Sequence, residues 1–339
     1  MTLIDEAGRV RRGFFDDPIG QIEYQKARLK SPLGELLPLE ARDAAFRHFQ
    51  FMGAVSERYA LGCAFSHSPI IKGAFVYLFD MEKKEFLLQE GYSAREGDGY
   101  DVCLNPDDGC STFCTDDAVI KMDASASNGG KNLHAVLPDG IEIDLHFQDQ
   151  QPSFTPMRVC TQTGATGWTY AQKVAGVPAS GFVSGPFGKL DFSEIGACAH
   201  HDYTAGFLRP ETYWNWACFS ARDANDRLIG LNVSNGVNES GFSENCFWVD
   251  GRLVKTDLVL IEFNDENLDA PWHVKSGNGM VDLTFTPVGG YHAVGDAGVI
   301  ASNFHQMFGH FDGTLLDPEL GELKVKKFGG FAETQYLRW

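Results

Sequence analysis

Short runs in which apolar and polar residues alternate, separated by turn-forming residues, constrain the fold of this chain most strongly. From Ile141 to Gln148 the alternation is strict, which is typical of a strand with one buried face. Turn signals lie beside or between such runs at Pro138-Asp139-Gly140, Asn225-Asp226, Asp250-Gly251, Asn278-Gly279 and Asp312-Gly313. These residue types tolerate the positive φ of tight hairpin turns. The pattern predicts a mostly antiparallel β fold.

Further runs predict strands along the chain, at Ala74–Phe79, Trp214–Ser220, Leu228–Val233, Leu258–Phe263, Met280–Phe285 and Val299–Phe308. With weaker runs included, we expect roughly sixteen to twenty strands. The best helix candidate extends from Leu39 to Phe51, where apolar residues form a narrow stripe. We expect this helix to pack across a sheet or to close the mouth of a barrel.

The length of 339 residues is more than one core usually supports. Closing a sheet removes its unpaired edges, so two barrels, each of about eight or more strands, account for this length better than one wide open sheet. The Gly-, Pro- and Ser-containing stretch from Ala175 to Pro186 lacks periodicity and separates halves of similar size. We therefore predict an all-β protein with one barrel over residues 1–185 and a second over residues 186–339.

Composition excludes several classes of partner. The net charge of −18 and the isoelectric point near 4.9 argue against nucleic acid and anionic membrane surfaces, which require a basic footprint. No apolar run approaches the length of a membrane span, and charges in Met1–Asp17 replace the apolar core of a signal peptide. We expect a cytoplasmic protein whose eight cysteines are reduced. The sequence leaves a homodimer open.

Known metal and cofactor motifs are missing from the sequence. Cys103, Cys110 and Cys114 lack the short Cys-x-x-Cys spacing of a zinc knuckle. The segment Gly185–Lys189 lacks the glycine spacing and the Ser/Thr of a phosphate-binding loop, and no Gly-x-Ser-x-Gly elbow is present. The prediction is that the protein uses neither a metal nor a cofactor.

The segment His200–Ala217 concentrates ionisable and aromatic side chains. Trp214 and Trp216 are two residues apart, so on a strand they share one face, while Asn215 points to the other. We expect the two indoles to line a ligand cavity in the C-terminal barrel. The alternative is that both tryptophans are ordinary core residues.

Several segments together resemble an uncharacterised domain-of-unknown-function family (serial 2804) of bacteria and fungi. They are Asp202-Tyr203-Thr204 with Trp214-Asn215-Trp216-Ala217, Ile229–Asn232, Glu244-Asn245 with Trp248–Gly251, and Gly330–Glu333 with Arg338-Trp339. That family is distantly similar to the tandem lipocalin-like group of carotenoid 1,2-hydratase, tocopherol cyclase and AttH-type proteins. The resemblance implies two lipocalin-like (calycin) barrels, and it transfers motif positions only, because the family itself has no established activity.

With nucleophilic and metal motifs missing, acid–base chemistry remains. A carboxylic acid in an apolar cavity stays protonated near neutral pH, because burial disfavours its charged form. Asp202 and Glu244 are the candidate proton donors, and His201 or His305 would orient water or accept the proton. The candidate ligand-binding residues are Tyr203, Trp214, Asn215, Trp216, Asn232, Asn245 and Trp248.

The leading hypothesis is a cofactor-independent enzyme that hydrates, cyclises or isomerises a C=C bond of an isoprenoid or other lipid-like substrate. Aromatic rings would stabilise the developing carbocation. A second hypothesis is a binding protein for a hydrophobic small molecule, in which the polar groups only orient the ligand. A third is a structural partner protein that docks through Phe331–Trp339.

Overall fold

Strands dominate the computed structural model, which describes residues 1–68, 72–236 and 241–338. Within these ranges there are twenty-four strands, one α-helix, α1 (Leu39–Ala45), and two short 3-10 turns at Tyr24–Lys26 and Pro138–Gly140. All strand pairs described in these ranges are antiparallel. The predicted all-β class is confirmed.

The strands form three sheets, of which one, the central sheet, holds eight strands. In spatial order these are β1 (Gly13–Phe14), β11 (Met157–Thr163), β12 (Gly167–Pro178), β15 (Cys198–Gly206), β2 (Arg47–Val55), β3 (Tyr59–His67), β4 (Lys72–Asp80) and β5 (Glu85–Ser93). β15 pairs with β12 on one side and with β2 on the other, and nearly all of its residues are buried.

The N-terminal sheet and the C-terminal sheet contain seven and nine strands. The N-terminal sheet runs β14 (Gly188–Asp191), β13 (Ser180–Gly185), β10 (Ile141–Phe147), β9 (Gly130–Leu137), β8 (Val119–Ser125), β7 (Gly109–Cys114) and β6 (Gly99–Asp101). The C-terminal sheet runs β19 (Arg252–Lys255), β18 (Cys246–Val249), β17 (Leu228–Asn235), β16 (Glu211–Arg222), β24 (Gly321–Arg338), β23 (Ala301–Asp317), β22 (Val281–Asp296), β21 (Trp272–Ser276) and β20 (Val259–Glu262).

The central sheet is covered on both faces. On one face it meets the N-terminal sheet, where the Ser111 hydroxyl donates to Gln50 Oε1 over 2.8 Å. On the other face β12 packs against β16 and β17 of the C-terminal sheet. The closest approach is at Gly176, where a Cβ would lie 2.7 Å from the backbone nitrogen of Gly230 and where φ is +77°. Only glycine fits both the backbone conformation and this contact.

The C-terminal sheet also has a core of its own, on the face that points away from the central sheet. Successive residues of β16 point alternately into this separate core and into the core shared with the central sheet. Ala217 and Phe219 belong to this separate core, whereas Trp216 and Cys218 belong to the core shared with the central sheet. The side chains of one strand therefore serve two interiors.

The predicted strand positions are confirmed, with strands at or within each of the six further runs and at Ile141–Phe147. The described residues hold twenty-four strands, which is more than the sixteen to twenty expected. Four of the predicted turns are confirmed between consecutive strands. The turn predicted at Asp312-Gly313 is wrong, because this pair forms a bulge inside β23, with Gly313 at φ +139°. A bulge uses the same permissive residue types as a turn, so the two are not separable from a dipeptide alone.

The helix prediction is wrong over its second half. α1 ends at Ala45, and Arg47–Val55 is the strand β2. Pairing with both β15 and β3 stabilises this segment as a strand, which outweighs the weak helical stripe.

The stretch Ala175–Pro186 is ordered mainly as the end of β12 and as β13. β15 lies beyond residue 185 in sequence, yet it is a strand of the central sheet. The division at residue 185 and the closure into two barrels remain predictions. The described residues contain no helix with the length and apolarity that a membrane span requires.

Candidate active site

A cavity of about 270 Å³ lies between the central sheet and the C-terminal sheet. Its walls combine polar and charged residues, Arg47 among them, with seven aromatic ones, which are Phe49, Phe51, Phe75, Trp214, Trp216, Tyr291 and Phe304. The hairpin of β22 and β23 covers one side, where Tyr291 stacks on Phe75 with ring centroids 5.7 Å apart. The cavity thus belongs to two sheets and lies outside the separate core of the C-terminal sheet.

The tryptophan pair of β16 lines this cavity as the two-residue spacing predicts. Trp214 and Trp216 both line the cavity, whereas Asn215 does not. The Asn215 amide donates a hydrogen bond of 3.0 Å to Asn235 Oδ1. The Trp216 indole N–H donates to Asn232 Oδ1 over 2.8 Å, which fixes the ring orientation.

A buried ion cluster forms the polar end of the cavity. Lys173 on β12 and Asp202 on β15 are direct cross-strand partners, so their side chains share one face of the central sheet. The Lys173 ammonium lies 2.6 Å from Asp202 Oδ2 and 3.2 Å from Glu244 Oε1. Its nitrogen also lies 5.3 Å from the centre of the Trp216 ring.

Electrostatics in this cluster oppose desolvation. Burial raises the pKa of Asp202 above its ordinary value, and the neighbouring Lys173 lowers it only in part. Burial alone would lower the pKa of Lys173, but the carboxylates of Asp202 and Glu244 more than offset this and raise it. Lys173 is therefore a firmly protonated ammonium.

Asparagine side chains hold Glu244 in place from behind the cavity wall. Asn232 Nδ2 donates to the Glu244 backbone carbonyl over 3.1 Å, and the Ser234 hydroxyl donates to Glu244 Oε1 over 2.9 Å. Asn245 Oδ1 in turn accepts the Ser234 backbone N–H over 2.7 Å. Asn232 and Asn245 thus position the wall without lining the cavity.

A third buried carboxyl group, Glu333 on β24, lines the cavity beside the tryptophans. It is only 4% exposed and is the cross-strand partner of Trp216. The Trp214 indole donates to Glu333 Oε1 over 2.6 Å, and the Gln306 amide donates to Glu333 Oε2 over 2.9 Å. Tyr77 completes the chain by donating to Gln306 Oε1 over 2.6 Å.

Burial is the main perturbation of Glu333 and raises its pKa to about 7 from an ordinary 4.5. Its two N–H donors and Lys173 act in the opposite direction, while the nearby Asp202 charge raises the pKa further. The polar end of the cavity therefore holds three buried carboxyl groups around one ammonium. Because its pKa is about 7, Glu333 can exchange a proton with a ligand near neutral pH.

The comparison with known families gives one match across the chain. The family described as "Domain of unknown function (DUF2804)" matches residues 1–339. The chain belongs to the DUF2804 family. Among curated proteins, none matches it in sequence.

Among the solved structures similar to this DUF2804 protein, the two of CghA share its fold. CghA is 10% identical with a TM-score of 0.58, covering 99% of this chain and 96% of that one. CghA with Sch210972 is 11% identical with a TM-score of 0.57, covering 87% and 89%. A putative AttH (NE1406) from Nitrosomonas europaea is 11% identical with a TM-score of 0.49, covering 86% and 92%. Kievitone hydratase from Nectria haematococca is 9% identical with a TM-score of 0.44, covering 86% and 88%. The predicted membership of the family is confirmed.

Several predicted site residues of the DUF2804 chain lie away from the cavity. His201 and Tyr203 alternate with Asp202 on β15, so they face the N-terminal sheet, where the Tyr203 hydroxyl donates to the Cys103 carbonyl over 3.2 Å. His201 is buried beside Gln50, and burial lowers its pKa well below the ordinary value. This histidine is therefore neutral and on the wrong face to contact a cavity ligand.

His305 and Trp248 also lie elsewhere. The Nδ1 atoms of His305 and His292 are 2.7 Å apart across β22 and β23, and neither ring lines the cavity. Trp248 is fully buried, and its indole donates to the Thr155 carbonyl over 2.8 Å. The structure thus places four of the predicted site residues in the cavity wall, namely Asp202, Trp214, Trp216 and Glu244. The chemical roles of all the predicted site residues remain predictions.

Sequence patterns did not single out Lys173, Gln306 or Glu333. The signal for Lys173 is that it is the one charged residue between Trp168 and Val177. Glu333 follows Phe331 and Ala332 in the same way, as one acid at the end of an apolar stretch. A lone charge in a buried strand indicates a paired or functional group.

Proposed function

We propose that this protein is a cofactor-independent enzyme that protonates a C=C bond of an isoprenoid or other lipid-like small molecule. The protonated substrate would then be hydrated, cyclised or isomerised. The observation that carries this proposal is Glu333, a buried carboxyl group in the wall of an aromatic cavity, held on both oxygens by N–H donors.

The reaction needs a proton donor and a site that tolerates positive charge. Glu333 would supply the proton to one alkene carbon, and its carboxylate would remain held by Trp214 and Gln306. The cation on the other carbon would face the π systems of the cavity wall, each worth about 0.5 to 2 kcal/mol. Asp202 and Glu244 add negative charge nearby.

The cation is then resolved in one of three ways. Water adds with loss of a proton, an internal hydroxyl closes a ring and releases its proton to the Glu333 carboxylate, or a neighbouring C–H bond gives up its proton and forms a displaced alkene. In the last case the Glu333 carboxylate can take back a proton, so the acid is regenerated. In hydration the proton released by water regenerates it.

Glu333 is preferred as donor over Asp202 and Glu244, the two acids that the sequence indicated. Both of those carboxylates form ion pairs with the Lys173 ammonium, and this contact opposes the rise in the pKa of Asp202. Glu333 has no described ion pair, and it contacts neutral donors. All three acids are therefore tested together.

The experiment uses deuterium. Purified protein is incubated in D₂O with farnesol, geranylgeraniol and the apolar extract of freshly purified protein, and products are analysed for deuterium by mass spectrometry. Reversible protonation places deuterium on carbon even when no net product forms. We expect incorporation with wild type and a loss of at least about a hundredfold in Glu333→Gln.

Matched variants separate the alternatives. Glu322→Gln changes an exposed acid on the same strand and should leave incorporation unchanged. If Asp202→Asn or Glu244→Gln abolishes incorporation while Glu333→Gln does not, the donor is misassigned. If an extracted ligand is bound but never exchanges hydrogen for deuterium, the protein is a binding protein and the proposal is wrong.

A further inference from the structure

We propose that the molecule recognised by this cavity carries an uncharged carbonyl oxygen, which the Lys173 ammonium binds. The ligand class is thus an apolar ketone, aldehyde, ester or lactone and not a pure hydrocarbon. The inference rests on the proposed function only in taking this cavity as the substrate site.

The first step is the hydrogen-bonding capacity of Lys173. An ammonium has three N–H donors. Two described partners, Asp202 and Glu244, lie within ion-pair distance of its nitrogen. In the part of the chain that the structure covers, Lys173 has no third acceptor, and its side chain lines the cavity. One strong donor is therefore available to a ligand.

The second step concerns the other polar groups at this end of the cavity. The Thr204 hydroxyl donates to Asp202 Oδ1 over 3.3 Å, and the Ser234 hydroxyl donates to Glu244 Oε1 over 2.9 Å. Both hydroxyl protons are thus already used by the carboxylates. Lys173 is the group near this end that is equipped to donate to a ligand oxygen, and the acids can only accept or compete.

The third step excludes an anionic group from the place beside Lys173. A carboxylate or phosphate placed at Lys173 would lie beside Asp202 and Glu244, whose like charges repel it in a buried, poorly solvated site. A neutral carbonyl oxygen accepts a hydrogen bond without this penalty. Seven Phe, Tyr and Trp side chains also line the cavity, and they suit an apolar body.

The cavity also limits the ligand's size. Its volume of about 270 Å³ lies near the lower end of the range for small-molecule sites. A compact ring with a short unsaturated side chain is an appropriate probe. We use β-ionone, its analogue in which a methylene group replaces the carbonyl oxygen, and β-ionylidene acetic acid as the anionic counterpart.

The experiment measures binding without turnover. Quenching of tryptophan fluorescence gives the affinity of each probe, since Trp214 and Trp216 line the cavity. A hydrogen bond from a charged donor is worth about 1.5 to 3 kcal/mol, so β-ionone should bind about tenfold to a hundredfold more tightly than its methylene analogue. The anionic probe should bind more weakly than β-ionone.

Two matched variants isolate Lys173. Replacing this lysine alone would leave two buried carboxylates without their cation. We therefore compare Asp202→Asn, which keeps the lysine beside the Glu244 carboxylate, with Lys173→Met/Asp202→Asn/Glu244→Gln, which removes all three charges. Circular dichroism establishes that each variant is folded. The preference for β-ionone over the hydrocarbon should persist in the single variant and vanish in the triple variant.

A second readout reports the contact directly. With ¹³C at the carbonyl of β-ionone, the infrared C=O stretch should move to lower frequency on binding to wild type and to Asp202→Asn. In the triple variant it should match the frequency in an apolar solvent. Two results would overturn the inference. One is equal affinity of wild type for the ketone and the hydrocarbon, and the other is a C=O frequency that is the same in wild type and in the triple variant.

The outcomes for the two proposals are separable. If the protein binds ketone and hydrocarbon equally well but still transfers deuterium from Glu333, the carbonyl inference is wrong and the proposed enzymatic function stands for hydrocarbon substrates. Conversely, a protein that binds β-ionone through Lys173 but never exchanges hydrogen retains the inference and loses the enzymatic proposal.

Discussion

The substitution Glu333→Gln should make the protein more stable relative to wild type as the pH rises. Glu333 is buried, and its pKa is raised to about 7 from 4.5. Below about pH 4.5 the group is protonated in both the folded and the unfolded chain, so it contributes no pH-dependent term. As the pH rises, the unfolded chain releases the proton while the folded chain retains it. The free energy of unfolding falls through this window, and the full loss is present above pH 7.

The size of the effect follows from the two pKa values. At about 1.4 kcal/mol for each tenfold change in proton affinity, the difference between about 7 and 4.5 corresponds to about 3 kcal/mol. Less than about 1 kcal/mol of this is already present at pH 5. Between pH 5 and pH 8.5 the wild type should therefore lose about 2 to 3 kcal/mol that Glu333→Gln does not lose.

The glutamine can be accommodated by one rearrangement, which leaves the Tyr77 hydroxyl proton without its present acceptor at both pH values. If the Gln306 amide rotates by half a turn, its oxygen accepts from the introduced amide and its nitrogen donates to the Tyr77 hydroxyl. The Trp214 indole continues to donate to the remaining oxygen. The same rearrangement suits protonated Glu333, which makes glutamine a fair mimic of the acid.

The assay is urea unfolding of wild type and variant at pH 5 and pH 8.5, followed by tryptophan fluorescence. Comparing the two proteins at each pH cancels other titrating groups, such as the buried His48 and His200, whose pKa values burial lowers to about 3. Glu322→Gln serves as the control and should follow wild type at both pH values. A difference between Glu333→Gln and wild type that is the same at both pH values would refute the reasoning.

Three further predictions test the surroundings of the site. Trp214→Phe removes the indole donor to Glu333, so the pKa of Glu333 should rise further and the stability loss should move to higher pH in the same urea series. Trp248→Phe should lower the free energy of unfolding by about 1 to 3 kcal/mol, because it leaves the Thr155 carbonyl unpaired, but should not change β-ionone affinity by fluorescence titration. Gly176→Ala should destabilise the protein by more than about 2 kcal/mol in urea unfolding, whereas Gly188→Ala, at φ +98° with open space around it, should cost only the backbone strain. An equal cost at both glycines would contradict the close approach of β12 and β17.

Local patterns predicted the fold class because each hairpin carries its own information. A window of about ten residues contains both the alternation from Ile141 to Phe147 and the turn residues before it, and this window is enough to predict the strand. The strand β2 was missed because its stability comes from partners far along the chain, and its own residues also fit a helical stripe. Register was equally invisible, since it depends on pairing between distant segments.

The site shows the same limit. Asp202, Glu244, Trp214 and Trp216 could be proposed because aromatic and acidic residues cluster in short segments. Lys173 reaches Asp202 only through the pairing of β12 with β15, and Glu333 reaches the tryptophans only through the pairing of β24 with β16. Alternation also placed His201 and Asp202 on opposite faces, which determined that only one of them lines the cavity.

The position of β15 has a consequence for how the protein is made. β2 and β12 do not pair with each other, and each depends on β15 to complete the central sheet. Gln50 on β2 meets His201 on β15 at a separation of 151 residues. A nascent chain that has already formed the hairpins of β2 to β5 must therefore carry an apolar, unpaired strand edge until β15, Cys198–Gly206, has been synthesised. Such an edge recruits other chains, so translation speed and chaperone holding should govern the yield of folded protein.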